Sequence, residues 1–476
     1  MRTTPWLRGL FTLGLWLIPF SGIAGVRALG EMAHEASAYV FLPALLFAGS
    51  VALTRSRRGG GSAFPRVVLL PRLAGVFWSI VAVSFLVNFG EISTITYQGR
   101  AGIEKFFSAN LTIVYSFGLA LLTYLLADER WPSFLAKPIA VSVGACFAFA
   151  VLEVLARWYG VGTGLYAALS GVIHGGFGEP KWDERLRSLA FEPPWLGNYL
   201  GFAWPWVLGG WLVSRGKTRL SYGLTLLACV LLLFGSMART GFVMLAGETG
   251  VYFLLRSVYL SPQVESPRGA QAKRITSSFL ILLGLLFILA VVFTRFGAVV
   301  GDVIASDSTT NISRLSSILA GFKIFGDYPL LGAGLGQYGF HLEPSLPYWA
   351  YYSPEFSKPG DVDGLWPSSY SIYARFAAEL GIVGLGFWVG LWFWLVRRVC
   401  AISRFFRQAT GRLPALAYPL VMSAFGVLLS GLSTESLRSP MIWITLGMAC
   451  RYLATAASSA ELDRINPAAK TSSLER

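Results

Sequence analysis

The chain has 476 residues, of which 54% are hydrophobic and 13% charged, with a formal net charge of +14 and a mean hydropathy of +0.58. A soluble domain carries roughly 25% charged residues, so this composition excludes a soluble globular protein and indicates a polytopic membrane protein. The positive charge does not call for nucleic acid, because it gathers in loops where it orients a membrane chain, with some attraction to anionic lipid.

Crossing a hydrocarbon core of ~30 Å takes roughly 17–25 mostly apolar helical residues. Runs of that kind fall at 7–24, 38–54, 73–90, 111–127, 136–156, 195–213, 220–236, 240–258, 276–296, 370–396, 414–432 and 440–457. They predict an all-α fold of about twelve spans, since a barrel would show short segments of alternating polarity. The first run follows Arg2 and Arg8 and ends near small residues, a pattern shared with secretory signals. An uncleaved first span is preferred because the loop charges downstream then alternate correctly.

Alternate loops are strongly basic. They carry Arg55, Arg57, Arg58, Arg66 and Arg72, then Arg215, Lys217 and Arg219, then Arg268, Lys273 and Arg274, and finally Arg397, Arg398, Arg404, Arg407 and Arg412. The positive-inside rule assigns these to the cytoplasm. One membrane domain is therefore expected over 1–457, with both termini cytoplasmic and a tail at 458–476. The outer side receives two long loops, 157–194 and 297–369, the larger lying between spans 9 and 10, and the short polar segment Ser433 to Ser439. Function concentrates on such loops.

Cys146, Cys229, Cys400 and Cys450 lie in spans or at their cytoplasmic ends without CxxC spacing, and His34, His174 and His341 are scattered over outer loops. Neither set suggests a disulfide, a metal site or any other cofactor site. No phosphate-binding G-x-x-x-x-G-K-[ST] loop is present, so ATP-driven work is unsupported. "GAGLGQYG" (Gly332 to Gly339) has no strand before it and reads as a tight turn, with phosphate cradling the less favoured alternative.

Arginines on the outer side are more informative. Arg187 precedes one span in "RSLAFEPPWLGNYL", Arg239 opens another in "ARTGFVMLAGE", Arg314 heads "RLSSILAGFKIFGDYPLLGAG", Arg375 lies in "YSIYARFAAELGIVGLG", and Arg438 begins the last span. Each alone reads as a snorkelling anchor. Five at one depth, on the cation-poor side, suit a lipid-borne phosphate or pyrophosphate, which guanidinium binds bidentately. Ile312, Leu315, Leu319 and Phe322, with Ile318 and Phe325, follow helical spacing and predict an amphipathic helix along the outer leaflet. Tyr348, Trp349, Tyr351, Tyr352 and Phe356 follow, as sugar-stacking rings or an interfacial belt. Arg375 and Glu379 are four apart and share a helix face, where they can pair.

In their order, "ARTG" at a span start, an arginine-led loop helix ending in "DYPLLGAGLGQYGF", and a polar pair nine residues or so before "GIVG" resemble the O-antigen ligase and polymerase superfamily of bacterial envelopes. The resemblance covers roughly Arg187 to the end of the chain. It implies a multi-pass inner-membrane glycosyltransferase, active on the periplasmic side without metal or cofactor. The implied donor is a glycan on a polyprenyl pyrophosphate, and the implied partners are membrane lipid and a chain-length regulator protein. Carried over, Arg239 and Arg314 would hold the pyrophosphate, joined by Arg187, with Arg375, Arg438 and His341 further substrate-binding candidates.

The family's ligases place a histidine where this chain has Tyr370, followed by Ser371, before Gly381 and Gly384. A phenol with a reference pKa of about 10 is a poorer base near neutrality than an imidazole. The departure favours a polymerase over a ligase acting on lipid A core. The remaining base candidates, in falling order, are Glu192, Glu435, His341 and Tyr370, with Glu192 first because confinement raises a carboxyl's pKa. A transporter of lipid-linked oligosaccharide is the non-enzymatic alternative, but it would string its cations along a central path.

Overall fold

A computed structural model describes residues 5–26, 32–57, 68–128, 130–175, 185–259, 309–357, 366–410 and 414–465. The described chain is helical apart from one two-residue hairpin pairing Thr96 with Ala101 and Tyr97 with Arg100. The helices run α1 Pro5–Leu17, α2 Ala38–Arg57, α3 Leu69–Val87, α4 Phe89–Thr94, α5 Gly102–Leu126, α6 Lys137–Tyr159, α7 Thr163–Ile173 and α8 Pro193–Val213. They continue with α9 Gly216–Ser236, α10 Arg239–Tyr259, α11 Thr309–Asp327, α12 Tyr338–Ser345, α13 Pro354–Ser357, α14 Ile372–Thr410, α15 Ala417–Ser430 and α16 Pro440–Ile465.

Among the described residues five helical segments are long and apolar enough to cross a membrane: Leu69–Val87, Gly102–Leu126, Pro132–Tyr159, Gly216–Ser236 and Ile372–Arg407. Ala38–Ser50, Thr163–Ile173 and Ala417–Ser430 are shorter apolar helices. The expected count of about twelve is thus met in part. The run at 276–296 lies outside the described residues. The first run forms a helix of 13 residues, ~20 Å long at 1.5 Å per residue, and so falls short of the core thickness. Helices α8 and α16 are long, but Trp, Gly, Pro and polar residues replace aliphatics in them, and both are buried along much of their length. Outer-loop segment 157–194 is not all loop, since it contains α7.

Helix α8 is the hub, packing on α9, α10 and α15, while α10 also packs on α15, α5 on α16, and α11 on α14. Helix α11 spans the apolar positions expected to be helical, Ile312 to Phe325. It turns Ser313, Ser316, Ser317 and Ala320 inward and leaves Leu319 and Phe322 exposed. Small residues allow this close approach: a Cβ on Gly321 would sit 3.0 Å from the Ala374 methyl on α14.

The two glycine-rich stretches dock on each other. Gly381 interrupts α14 with φ 63° and ψ −161°, a conformation nearly confined to glycine, and this frees backbone groups of the adjoining turn. Ala333 and Gly334 amides donate to the Ala378 and Glu379 carbonyls at 2.9 Å each, and the Ile382 amide donates to Pro329 at 2.9 Å. "GAGLG" is therefore a docking turn held against the break, and Asn88 completes it by donating to the Gly332 carbonyl at 2.9 Å.

Candidate functional site

Four non-glycine residues among those described hold a left-handed backbone: Gln98, Ser188, Met237 and Tyr370. Such conformations cost of order 1–3 kcal/mol each and gather where function over-determines the chain. The last three border one patch. Ser188, at φ 51°, is pinned by its amide donating to Glu153 Oε2 at 2.9 Å and its hydroxyl donating to the Cys146 carbonyl at 2.7 Å. The chain then enters α8 through Glu192, an extended N-cap whose following prolines start the helix. Met237, at φ 48°, ends α9 so that Arg239 can open α10 after two residues.

The short segment between α15 and α16 ties these starts together. Thr240 and Ser433 hydroxyls are 2.7 Å apart, and the Ile372 amide donates to the Gly431 carbonyl at 3.0 Å and the Thr434 carbonyl at 2.9 Å. Glu435 accepts from both the amide and the hydroxyl of buried Ser369, which fixes the approach to Tyr370.

Within this frame Arg314 lies over the Tyr370 ring, 5.3 Å from its centroid, and its Nε is buried without a hydrogen-bond partner among the described residues. The Tyr370 hydroxyl donates to Glu355 Oε1 at 3.0 Å. Burial, then the Glu355 charge and that hydrogen bond, push the phenol well above its ordinary range, against a smaller opposing pull from Arg314. Burial also pushes the Glu192 carboxyl up, opposed by Arg314 and Arg185 and assisted by Glu355. Arg185 is pushed down, first by burial and then by the positive charges of Arg239 and Arg314, while Glu192 holds it up.

Arg185 and Arg314 thus act on Glu192, Arg314 and Glu355 on Tyr370, and Arg239 on Arg185. Three guanidiniums meet two carboxylates there, an excess of positive charge suited to an anionic ligand. The arginines come from the segment before α8, the start of α10 and the second turn of α11, so the cluster exists only in the folded chain.

The other predicted residues lie elsewhere. Arg187 is 2% exposed and points inward, its Nη2 3.4 Å from the Ser170 hydroxyl and its amide 3.4 Å from Glu153 Oε1. Arg375 pairs with Glu379 at 3.3 Å and donates to the Glu435 carbonyl at 3.3 Å, joining α14 to the 431–439 segment. Arg438 pairs with Glu35 at 2.6 Å and covers the Trp195 ring at 5.7 Å. His341 stacks edge-on against Tyr328, with ring centroids 5.3 Å apart, and its Nε2 is 3.8 Å from Glu91. Burial lowers its proton affinity against the pull of Glu91 and Asp327. Ser371 is buried and donates to the Gly431 carbonyl at 3.1 Å.

Sequence reading missed Arg185 and Glu355. Arg185 stands two residues before Arg187, and nothing in "ERLRS" says which of the two turns inward. Glu355 sits among the aromatic residues of "PYWAYYSPEF", whose rings drew attention from its carboxylate. Among the described residues no group of three or more His, Cys, Asp or Glu side chains is placed to hold a metal ion.

Residues 224–389 match the family model described as O-antigen ligase. Over those residues the chain is similar to the O-antigen ligase family. The matched segment contains Arg239, Arg314, Glu355, Tyr370 and the Gly381 break, whereas Arg185 and Glu192 reach its cluster from the preceding segment. Its family supports a role in polysaccharide assembly of the ligase or polymerase type, as a glycosyltransferase-like membrane enzyme. No curated protein matches the chain.

Proposed function

We propose that this chain is a polymerase that joins oligosaccharide repeat units carried on polyprenyl pyrophosphate, acting at the periplasmic face of a bacterial inner membrane with both termini in the cytoplasm. The observation that carries the reading is that Arg185 and Arg314 both act on Glu192, with Arg314 over the Tyr370 ring and Arg239 beside Arg185. In the reaction a hydroxyl of the acceptor sugar attacks the anomeric carbon of the donor glycan. The new C–O bond forms as the bond to the pyrophosphate breaks, and the three guanidiniums meet the charge that develops on the leaving group. Glu192 takes the hydroxyl proton, for which its raised proton affinity suits it. Tyr370 is a platform and not the base, because its own proton is donated to Glu355. Electrostatic stabilisation by arginine then takes the place of a metal ion.

Transfer to lipid A core is the second reading, favoured by the family description. A tyrosine stands where that family's ligases carry histidine, which favours polymerisation. The test is purified protein with synthetic lipid-linked repeat unit, with and without lipid A core, in the presence of a chelator. Chains that lengthen on the polyprenyl carrier are expected. Transfer to core without lengthening would establish the ligase, and loss of activity on adding chelator would overturn metal independence.

A further inference from the structure

A buried carboxylate lies outside the chemistry above. Glu248 is on α10, nine residues beyond Arg239 and so ~13 Å further along the helix. It is 0% exposed, and neither carboxylate oxygen has a hydrogen-bond partner among the described residues. Its Oε1 occupies a notch in α15 left by Gly426, where any Cβ would overlap it. The carboxylate lines a cavity between α8, α10, α15 and α16, together with Asn198, Ser423, Ser430, Thr434 and Ser439.

The polar groups around that cavity offer lone pairs. Asn198 Oδ1 and Ser439 Oγ are buried and unpartnered among the described residues. The Ser430 hydroxyl donates away, to the Val427 carbonyl at 3.1 Å. Thr445 donates to the Met441 carbonyl at 2.9 Å, so in its 2.8 Å contact with Ser423 the serine is the donor, and only Ser423 lone pairs remain for the cavity. No Lys, Arg or His lines it. A bare carboxylate at this depth is costly, and oxygen lone pairs around a single negative charge suit a hard cation. One carboxylate balances one positive charge. The interior admits a guest of about one water molecule's size, which excludes a sugar or a prenyl chain.

We propose that the Glu248 cavity is a binding site for one alkali-metal cation, held by the Glu248 carboxylate and the Asn198 carbonyl. The four helices around it end, on the site side, at Glu192, Arg239, Ser430 and Pro440. An ion held by Glu248 and Asn198 joins α10 to α8 and so fixes the spacing of their ends.

Occupancy is measured without substrate, so it is tested independently of the polymerase reading. The full chain in zwitterionic nanodiscs is titrated with sodium, potassium or choline chloride at constant ionic strength, following the thermal midpoint and equilibrium binding of radioactive sodium. A saturable rise with sodium or potassium but not choline is expected, with one ion per chain. Glu248→Gln should abolish the response, and Asn198→Ala should weaken affinity roughly tenfold or more. Equal responses to all three salts, or an unchanged response in Glu248→Gln, would overturn the proposal. If that variant does not fold, wild-type protein that responds to neither metal ion overturns it alone.

Discussion

Replacing Arg314 and Tyr370 separately distinguishes a leaving-group grip from a phenolic base. Arg314 presents a planar fork over the Tyr370 ring at 5.3 Å, a geometry worth roughly 0.5–2 kcal/mol for positioning. Its Nε is unpartnered among the described residues and so offers a donor to an incoming phosphate. Losing one donor of that kind lowers turnover by about 10²–10³, equivalent to ~2.7–4 kcal/mol. Arg314→Gln should reach that range. Arg314→Lys keeps the charge without the fork, and should lose roughly tenfold to a hundredfold, or ~1.4–2.7 kcal/mol. Tyr370→Phe keeps the ring under the guanidinium and removes only the bond to Glu355, so a fall of about tenfold, or ~1.4 kcal/mol, is expected, just under the ~1.5–3 kcal/mol of a hydrogen bond to a charged group. A general base would cost about 10²–10⁴. The assay is single-turnover release of polyprenyl pyrophosphate from synthetic repeat unit, with folding checked by thermal midpoint. The reasoning is refuted if Tyr370→Phe falls by three decades or so in a folded protein, or if Arg314→Lys releases pyrophosphate at the wild-type rate.

Two charge changes should move the acidic limb of kcat/KM in opposite directions. Arg185 favours the ionised form of Glu192 and Glu355 opposes it, so Arg185→Gln should shift the limb to higher pH and Glu355→Gln to lower pH; shifts of the same sign would remove Glu192 as the base. Gly381→Ala should destabilise by ~2–5 kcal/mol, combining a glycine-only backbone with overlap onto Leu330, and urea midpoints in mild detergent would read it. Arg187→Lys should lower the thermal midpoint without lowering turnover of the surviving protein, because Arg187 is packed inward; a selective fall in turnover would return it to the site. For orientation, Ser357→Cys should react with an impermeant thiol reagent from outside and Ser56→Cys should not, and the reverse pattern would overturn the topology.

The membrane class and the places of most helices were legible because hydropathy is a local property, whereas bounds were not, since the run at 111–127 belongs to a helix over Gly102–Leu126 and that at 370–396 to one over Ile372–Thr410. Arg239, Arg314, Glu192 and Tyr370 drew attention through the family resemblance and their places beside apolar runs. Which face of α11 meets protein was not legible. Apolar spacing identifies the face that leaves water, but lipid and protein both exclude water, so Leu319 and Phe322 stay exposed while Ser313, Ser316, Ser317 and Ala320 turn inward. The choice between Arg185 and Arg187 depends on the left-handed turn at Ser188, which nothing adjacent to it in the sequence announces.

Strain and docking together explain how the fold holds Arg185 close to Arg239 and Arg314. Three like charges repel, and each would separate if its backbone were free to relax. Arg185 is held by its Nε donating to the Ser236 carbonyl at 3.0 Å, which ties it to the turn that launches Arg239. Arg314 is held because α11 lies on α14 through small residues and because the turn after it is docked at Gly381. Tyr370 is held on the same α14 by the Glu355 bond and by the Glu435 grip on Ser369. On the proposed reading the glycine-rich turn acts on the site at a distance, by fixing where α11 delivers its guanidinium. A pyrophosphate entering between these arginines would then replace repulsion with attraction in a frame already set, so that little of its binding free energy would go into ordering the protein.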